Sequence, residues 1–160
     1  MKNLQDLFEH EMKDLYSAEK QLIEAMPKLV KAAHDERLRQ AFEQHLSETK
    51  EQFDTVRKIC DMLDINPGNT KCDAMAGLIK ECEGMVKHDA PAAVKDAGLI
   101  ACAQRVEHYE ISGYGTARQY AEALGHAEIA RVLEKILDEE SRTNEHLNDL
   151  AVNDINQKAI

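Results

Sequence analysis

The chain has 160 residues, with 30 acidic side chains against 20 basic ones and a formal net charge of −10. That length predicts one domain with a core large enough to need no disulfide or metal staple, and the negative charge argues against nucleic acid or an anionic membrane as partner. Tryptophan is absent, aromatics are few, and proline and glycine number only three and seven. Long helices with an aliphatic core are therefore expected, and with no period-two β-branched runs the fold class is all-α.

No apolar run approaches the roughly 20 residues of a spanning helix. The opening "MKNLQDLFEHEMKDLYSAEK" is charged throughout, unlike a signal peptide, so a cytoplasmic location is expected. Cys60, Cys72, Cys82 and Cys102 form no C-x-x-C pair and read as reduced, mostly buried thiols.

The first segment, from about Asn3 to His34, carries an apolar line at Leu4, Phe8, Leu15, Leu22, Met26, Leu29 and Ala33. Pro27 falls inside it, where a slight bend is expected. The second runs from about Glu36 to Asp64, with Asp35 as N-cap and Leu38, Phe42, Leu46, Phe53, Val56, Cys60 and Leu63 inward. "NPGNTK" then marks a loop. A shorter helix, "DAMAGLIKECEGMVK", sits within the long connection and is expected to cover an apolar patch or a dimer interface. A third long helix follows, with Asp89 as cap and Pro91 in its first turn, and ends at Gly125. The fourth spans about His126 to Val152. Residues 1–152 thus form one domain, and "NDINQKAI", from Asn153, reads as a frayed tail. Two antiparallel hairpins joined by a long crossover define the ferritin-like variety of four-helix bundle.

At about 100° per residue, several glutamates point at the core rather than at water. Glu110 is central on the third long helix and Glu140 on the fourth. Glu107 and Glu19 lie roughly 60° off centre, His45 about 50°, and Glu48 about 110°. Height along the bundle is an independent test. Glu110 and Glu140 are equally far from Gly125, and Glu19 and Glu48 lie at comparable distances from Asp35. Glu11 also faces inward but sits about 12 Å from that layer. A lone inward glutamate normally snorkels or pairs with a base. Four helices contributing acids at one level, with no inward lysine or arginine, need another counter-charge. Two divalent ions of iron or manganese supply it, since carboxylate cages with an imidazole suit those metals. His108 is expected on the surface or at a dimer interface. Gly113 and Gly115 read as close-packing residues rather than a phosphate loop. Tyr16 and Tyr109 read as packed residues with paired hydroxyls.

The blocks "DLYSAEKQL" (14–22), "HLSET" (45–49), "KCDAMAGLI" (71–79), "AQRVEHYEISGYGT" (103–116) and "LDEES" (137–141) resemble the YciF-like stress proteins of the ferritin-like superfamily. The resemblance covers nearly the whole chain. It implies a rubrerythrin-like bundle, a homodimer, a di-metal site and a link to bacterial stress. Glu107-x-x-Glu110 follows rubrerythrin-like sites, whereas His45-x-x-Glu48 reverses the usual Glu-x-x-His order and Thr143 stands where a histidine would follow Glu140. The expected metal ligands are Glu19, His45, Glu48, Glu107, Glu110 and Glu140, and the expected chemistry is handling of peroxide or dioxygen, or metal binding itself. With no C-x-x-C pair, electrons would come from another protein or a second substrate. The reading from a different class is a metal-free helical dimer serving as an interaction or scaffolding protein. Iron storage in a shell is weaker, because nothing in the chain specifies a cage.

Overall fold

The computed structural model describes all 160 residues and contains helices only. Helix α1 spans Leu4–Ala32, with the Asn3 side chain accepting from the Asp6 N–H at 2.9 Å. It continues through Pro27, which lies on the exposed face where the carbonyl left without a donor can be hydrated. A three-residue turn leads into α2 (Glu36–Met62), and Asp35 caps it as expected, accepting from the Arg37 N–H at 2.9 Å. Helix α2 ends two residues earlier than the pattern predicts. Asp64 turns the chain with φ +55°, and Ile65 tucks back into the core.

Helix α3 (Asp73–Lys87) is fixed at its start by its own cap. Cys72 Sγ accepts from the Met75 N–H, and the Cys72 backbone N–H donates to Ser17 Oγ at 2.9 Å. Gln21 on α1 donates to the Cys72 carbonyl. α3 packs against α1 and α4, so it covers a groove of the bundle. Helix α4 (Ala92–Ala123) starts two residues later than predicted. Pro91 itself takes the cap position expected for Asp89, with no side-chain cap bond. Gly125, at φ +82°, makes the turn into α5 (Ala127–Leu150).

The tail is a correction. Instead of fraying, the chain widens into a π-helical turn at Ala151–Ile155 and ends in one α-helical turn, α6, at Asn156–Lys158. Ala151 and Ile155 are both buried, and Asp154 pairs with Arg37 and Lys158 at the surface. The extra residue per turn brings these two apolar side chains onto the core face.

Asp96 locks the hairpins together. It is buried, and its carboxylate accepts from the backbone N–H groups of His34 and Asp35 at 2.8 and 2.7 Å. The start of α4 therefore sits beside the α1–α2 turn, and α2 and α4 run in the same direction. Around the bundle, α1 neighbours α2 and α4, and α5 neighbours α4 and α2.

The apolar core is in two pieces. One contains Leu22, Leu29, Leu38, Phe42, Leu99, Leu147 and Ile155, towards the α1–α2 turn. The other contains Phe8, Met12, Leu15, Val56, Ile59, Ala117, Ile129 and Leu133, towards Gly125. Each fully buried Leu or Phe contributes about 1.5–3 kcal/mol. Between the two pieces lies a layer of buried polar side chains.

Candidate metal centre

That layer is built from all four long helices. Glu19 comes from α1, His45, Thr49 and Gln52 from α2, Glu107 and Glu110 from α4, and Glu140 from α5. Glu19, Glu110 and Glu140 are 0 % exposed, Glu107 1 % and His45 5 %. No lysine or arginine is buried anywhere in the chain. Each of His45, Glu107, Glu110 and Glu140 offers one ligand atom within 4.8 Å of those of the other three. Glu19 adjoins them, its charge acting on His45 and Glu110.

Donors are missing. Both carboxylate oxygens of Glu107, Glu110 and Glu140, and Oε2 of Glu19, have no hydrogen-bond partner. His45 Nε2 approaches Glu107 Oε1 to 3.1 Å, an ion-pair distance, but the ring is not aligned for a hydrogen bond, so neither atom is satisfied. Burying one such group without a partner costs about 1–3 kcal/mol, and more when it is charged. The one satisfied oxygen is Glu19 Oε1, which accepts from the hydroxyl of the fully buried Tyr114.

The electrostatics follow from this crowding. Burial pushes the Glu19 carboxyl up to about 7, against the pull of the Tyr114 hydrogen bond. Burial, then the charges of Glu19 and Glu107, hold Glu110 well above the usual range. Burial, then Glu110 and Glu107, do the same to Glu140. Burial alone would lower His45, but Glu107, Glu19 and Glu48 together raise it. Burial holds the three carboxyls towards their protonated forms, and neighbouring carboxylates do the same for His45.

Five of the six expected ligands are thus gathered in one layer. Glu48 is not. It is half-buried, accepts from Gln44 on its own helix at 2.9 Å, and lines a surface cavity beside His45. Its direction from the α2 stripe, about 110°, accounts for this. His108 is exposed, as expected, with its ring against the Gln104 carbonyl. Gly113 meets the packing expectation, since a Cβ there would stand 2.9 Å from Leu15 Cδ2, whereas at Gly115 the nearest atom is 3.9 Å away on Leu137. Tyr16 packs on Phe53, and Tyr109 donates to Asp14. The tyrosine that touches the centre is Tyr114, which the pattern did not single out. Its signal is position: four residues beyond Glu110, it lies one turn further along the same face.

An all-helical bundle with a buried carboxylate–imidazole layer is the class that fold and site define. The chain matches the model of the domain of unknown function DUF892 over residues 3–160 and belongs to that family. Protein YciF of Escherichia coli (strain K12) is 44 % identical over 160 residues, covering 99 % of this chain and 96 % of its own. The crystal structure of the E. coli stress protein YciF superposes with a TM-score of 0.93 at 43 % identity, covering 98 % and 99 % of the two chains. YcfI from Rhodopseudomonas palustris, provisionally described as a structural protein, gives 0.90 at 39 % identity, covering 95 % and 97 %. A protein from Xanthomonas campestris pv. campestris shares the fold at 21 % identity, with a TM-score of 0.74 and coverage of 92 % and 90 %.

Proposed function

We propose that this protein is a ferritin-like, stress-related metal protein whose buried layer holds two divalent ions of iron or manganese. One observation supports the reading above the rest: a set of buried carboxylates with no donor, no buried cation and an imidazole among them. The donor set fits such ions by its chemistry. Hard carboxylate oxygens with one nitrogen suit iron and manganese. Bound there, the ions would supply Lewis acidity and electron exchange with peroxide or dioxygen. The chain's own part is to supply negative charge from Glu107, Glu110 and Glu140, to place the His45 ring against Glu107, and to orient Glu19 through Tyr114. The two apolar clusters wall the layer from bulk water on either side.

Metal analysis of protein purified without chelator, or reconstituted with Fe(II) or Mn(II), tests this. About two ions per chain, lost in Glu110→Ala plus Glu140→Ala, is the expected result. No bound ion after reconstitution overturns it. The R. palustris relative's description favours a second reading, a metal-free structural role. That reading requires the metal result to be negative. A solution mass near two chains would agree with the expected homodimer, and a far larger assembly with a storage shell.

A further inference from the structure

We propose that the cleft between α2 and α5 above His45 is the port through which divalent cations reach the buried layer, with Glu48 and Glu139 as its transient ligands. This rests on the metal reading of the centre, and it assigns Glu48 a part outside that centre.

A cavity of about 310 Å³ opens there, lined among others by Gln44, His45, Glu48, Glu139, Thr143 and His146. Its lining is polar and rich in donors to metals: two carboxylates and two imidazoles, with Ala41 the one hydrophobic residue. The acidic rim alone would be an ordinary solvated surface. What singles it out is His45. That ring is 95 % buried by its 5 % exposure, both its nitrogens lack a hydrogen-bond partner, and it lines this cavity while also belonging to the four-residue cluster within. One side chain thus forms both the floor of an open cleft and part of the wall of a closed layer.

The rim residues are suited to passing an ion on. Glu48 is half-buried, held by Gln44 at 2.9 Å, and its charge reaches His45. Glu139 accepts from Gln52, a buried α2 residue, at 3.2 Å, so it ties α5 to α2 at the edge of the cleft. Two basic groups are close. Lys135 lies 3.6 Å from Glu139 and is 79 % exposed, and Arg142 lines the cavity, its Nε donating to the Asp138 carbonyl. Both are exposed and free to swing into water when an ion arrives. A chain of net charge −10 draws cations in general. A rim of weak carboxylate ligands leading to a buried imidazole gives them a defined way in.

The test is the rate of Mn(II) uptake by metal-free protein, followed by loss of the free-ion electron paramagnetic resonance signal. Glu48→Gln plus Glu139→Gln is compared with Glu24→Gln plus Glu81→Gln, which removes the same charge from exposed positions elsewhere. Uptake slowed on the order of tenfold or more in the rim variant only, with the final ion count unchanged, is expected. Equal rates in the two variants overturn the port while leaving the centre standing. A lower final count in the rim variant also overturns it, since Glu48 or Glu139 would then be a ligand of the centre itself. Absence of uptake by the unmodified chain overturns the metal reading on which the port rests. Circular dichroism of each variant separates these outcomes from a folding defect.

Discussion

Tyr114 gives Glu19 its only hydrogen bond, and both side chains are fully buried. Tyr114→Phe keeps the ring and removes the donor. The expected cost is about 1–3 kcal/mol in denaturant unfolding of the metal-free protein, because a buried acceptor is left unmet. If the loss is within experimental error, the hydroxyl contributes nothing to stability. At the same scale, some of the centre was legible from sequence and some was not. Glu110 and Glu140 were readable because a carboxylate in mid-stripe breaks the apolar pattern. Glu48 was not resolved by the same reasoning, since matching height counts for little when a side chain points about 110° away. Tyr114 escaped because an aromatic on a core face is unremarkable, and only the neighbouring acid gives it meaning.

At the scale of elements, Asp96 is the hinge pin of the hairpins. Its two hydrogen bonds to His34 and Asp35 N–H groups join the second turn of α4 to the α1–α2 connection. Asp96→Ala is expected to cost about 2–4 kcal/mol, since bonds to a charged group are worth about 1.5–3 kcal/mol each and the loss is partly offset by water. Thermal unfolding checks it. Two of the three glycines of α4, Gly113 and Gly115, should part company. Gly115→Ala meets only Leu137 at 3.9 Å and gains helix propensity, a stabilisation of about 0.5–1 kcal/mol. Gly113→Ala presses on the buried Leu15 at 2.9 Å, so it should be the less stable of the two by about 1 kcal/mol or more. Equal melting temperatures for both variants would contradict this. Helix number and order were readable from apolar spacing. The tail beyond Val152 was not, because Ile155 stands alone among polar neighbours and the π turn that seats it departs from the 3.6-residue period. The α3 cap was equally hidden, since Cys72 acts there through Sγ and its backbone, which composition does not reveal.

At the scale of the whole molecule, the buried layer links stability to pH. The Glu19 carboxyl is raised from 4.5 to about 7, and Glu110 and Glu140 are held well above the usual carboxylate range, all with burial as the largest cause. The folded metal-free protein therefore holds protons that the unfolded chain releases. That stabilisation is fully present below about pH 4.5 and is lost as pH rises through about 7 and beyond. His45, also raised, acts in the same direction. The melting temperature of the metal-free protein should fall between about pH 5 and about pH 8. Bound ions should reverse the slope, because they compete with the same protons for the same oxygens. A flat profile in both forms would mean that the layer does not titrate with folding. No helix is long and apolar enough to cross a membrane, which agrees with the sequence.

The division of the centre between the hairpins has a consequence for how the chain is held together. Glu19 and His45 belong to the first hairpin, and Glu107, Glu110 and Glu140 to the second, with the long crossover between them. An ion gripped by both halves closes a loop of chain that the unfolded state leaves open, and the entropy so removed grows only slowly with loop length. All four cysteines are free. On the proposed metal-bound reading, the cross-link that a disulfide makes from sulfur would be made from oxygen and nitrogen, and it would be tightened or released by the supply of ions rather than by the surrounding redox potential.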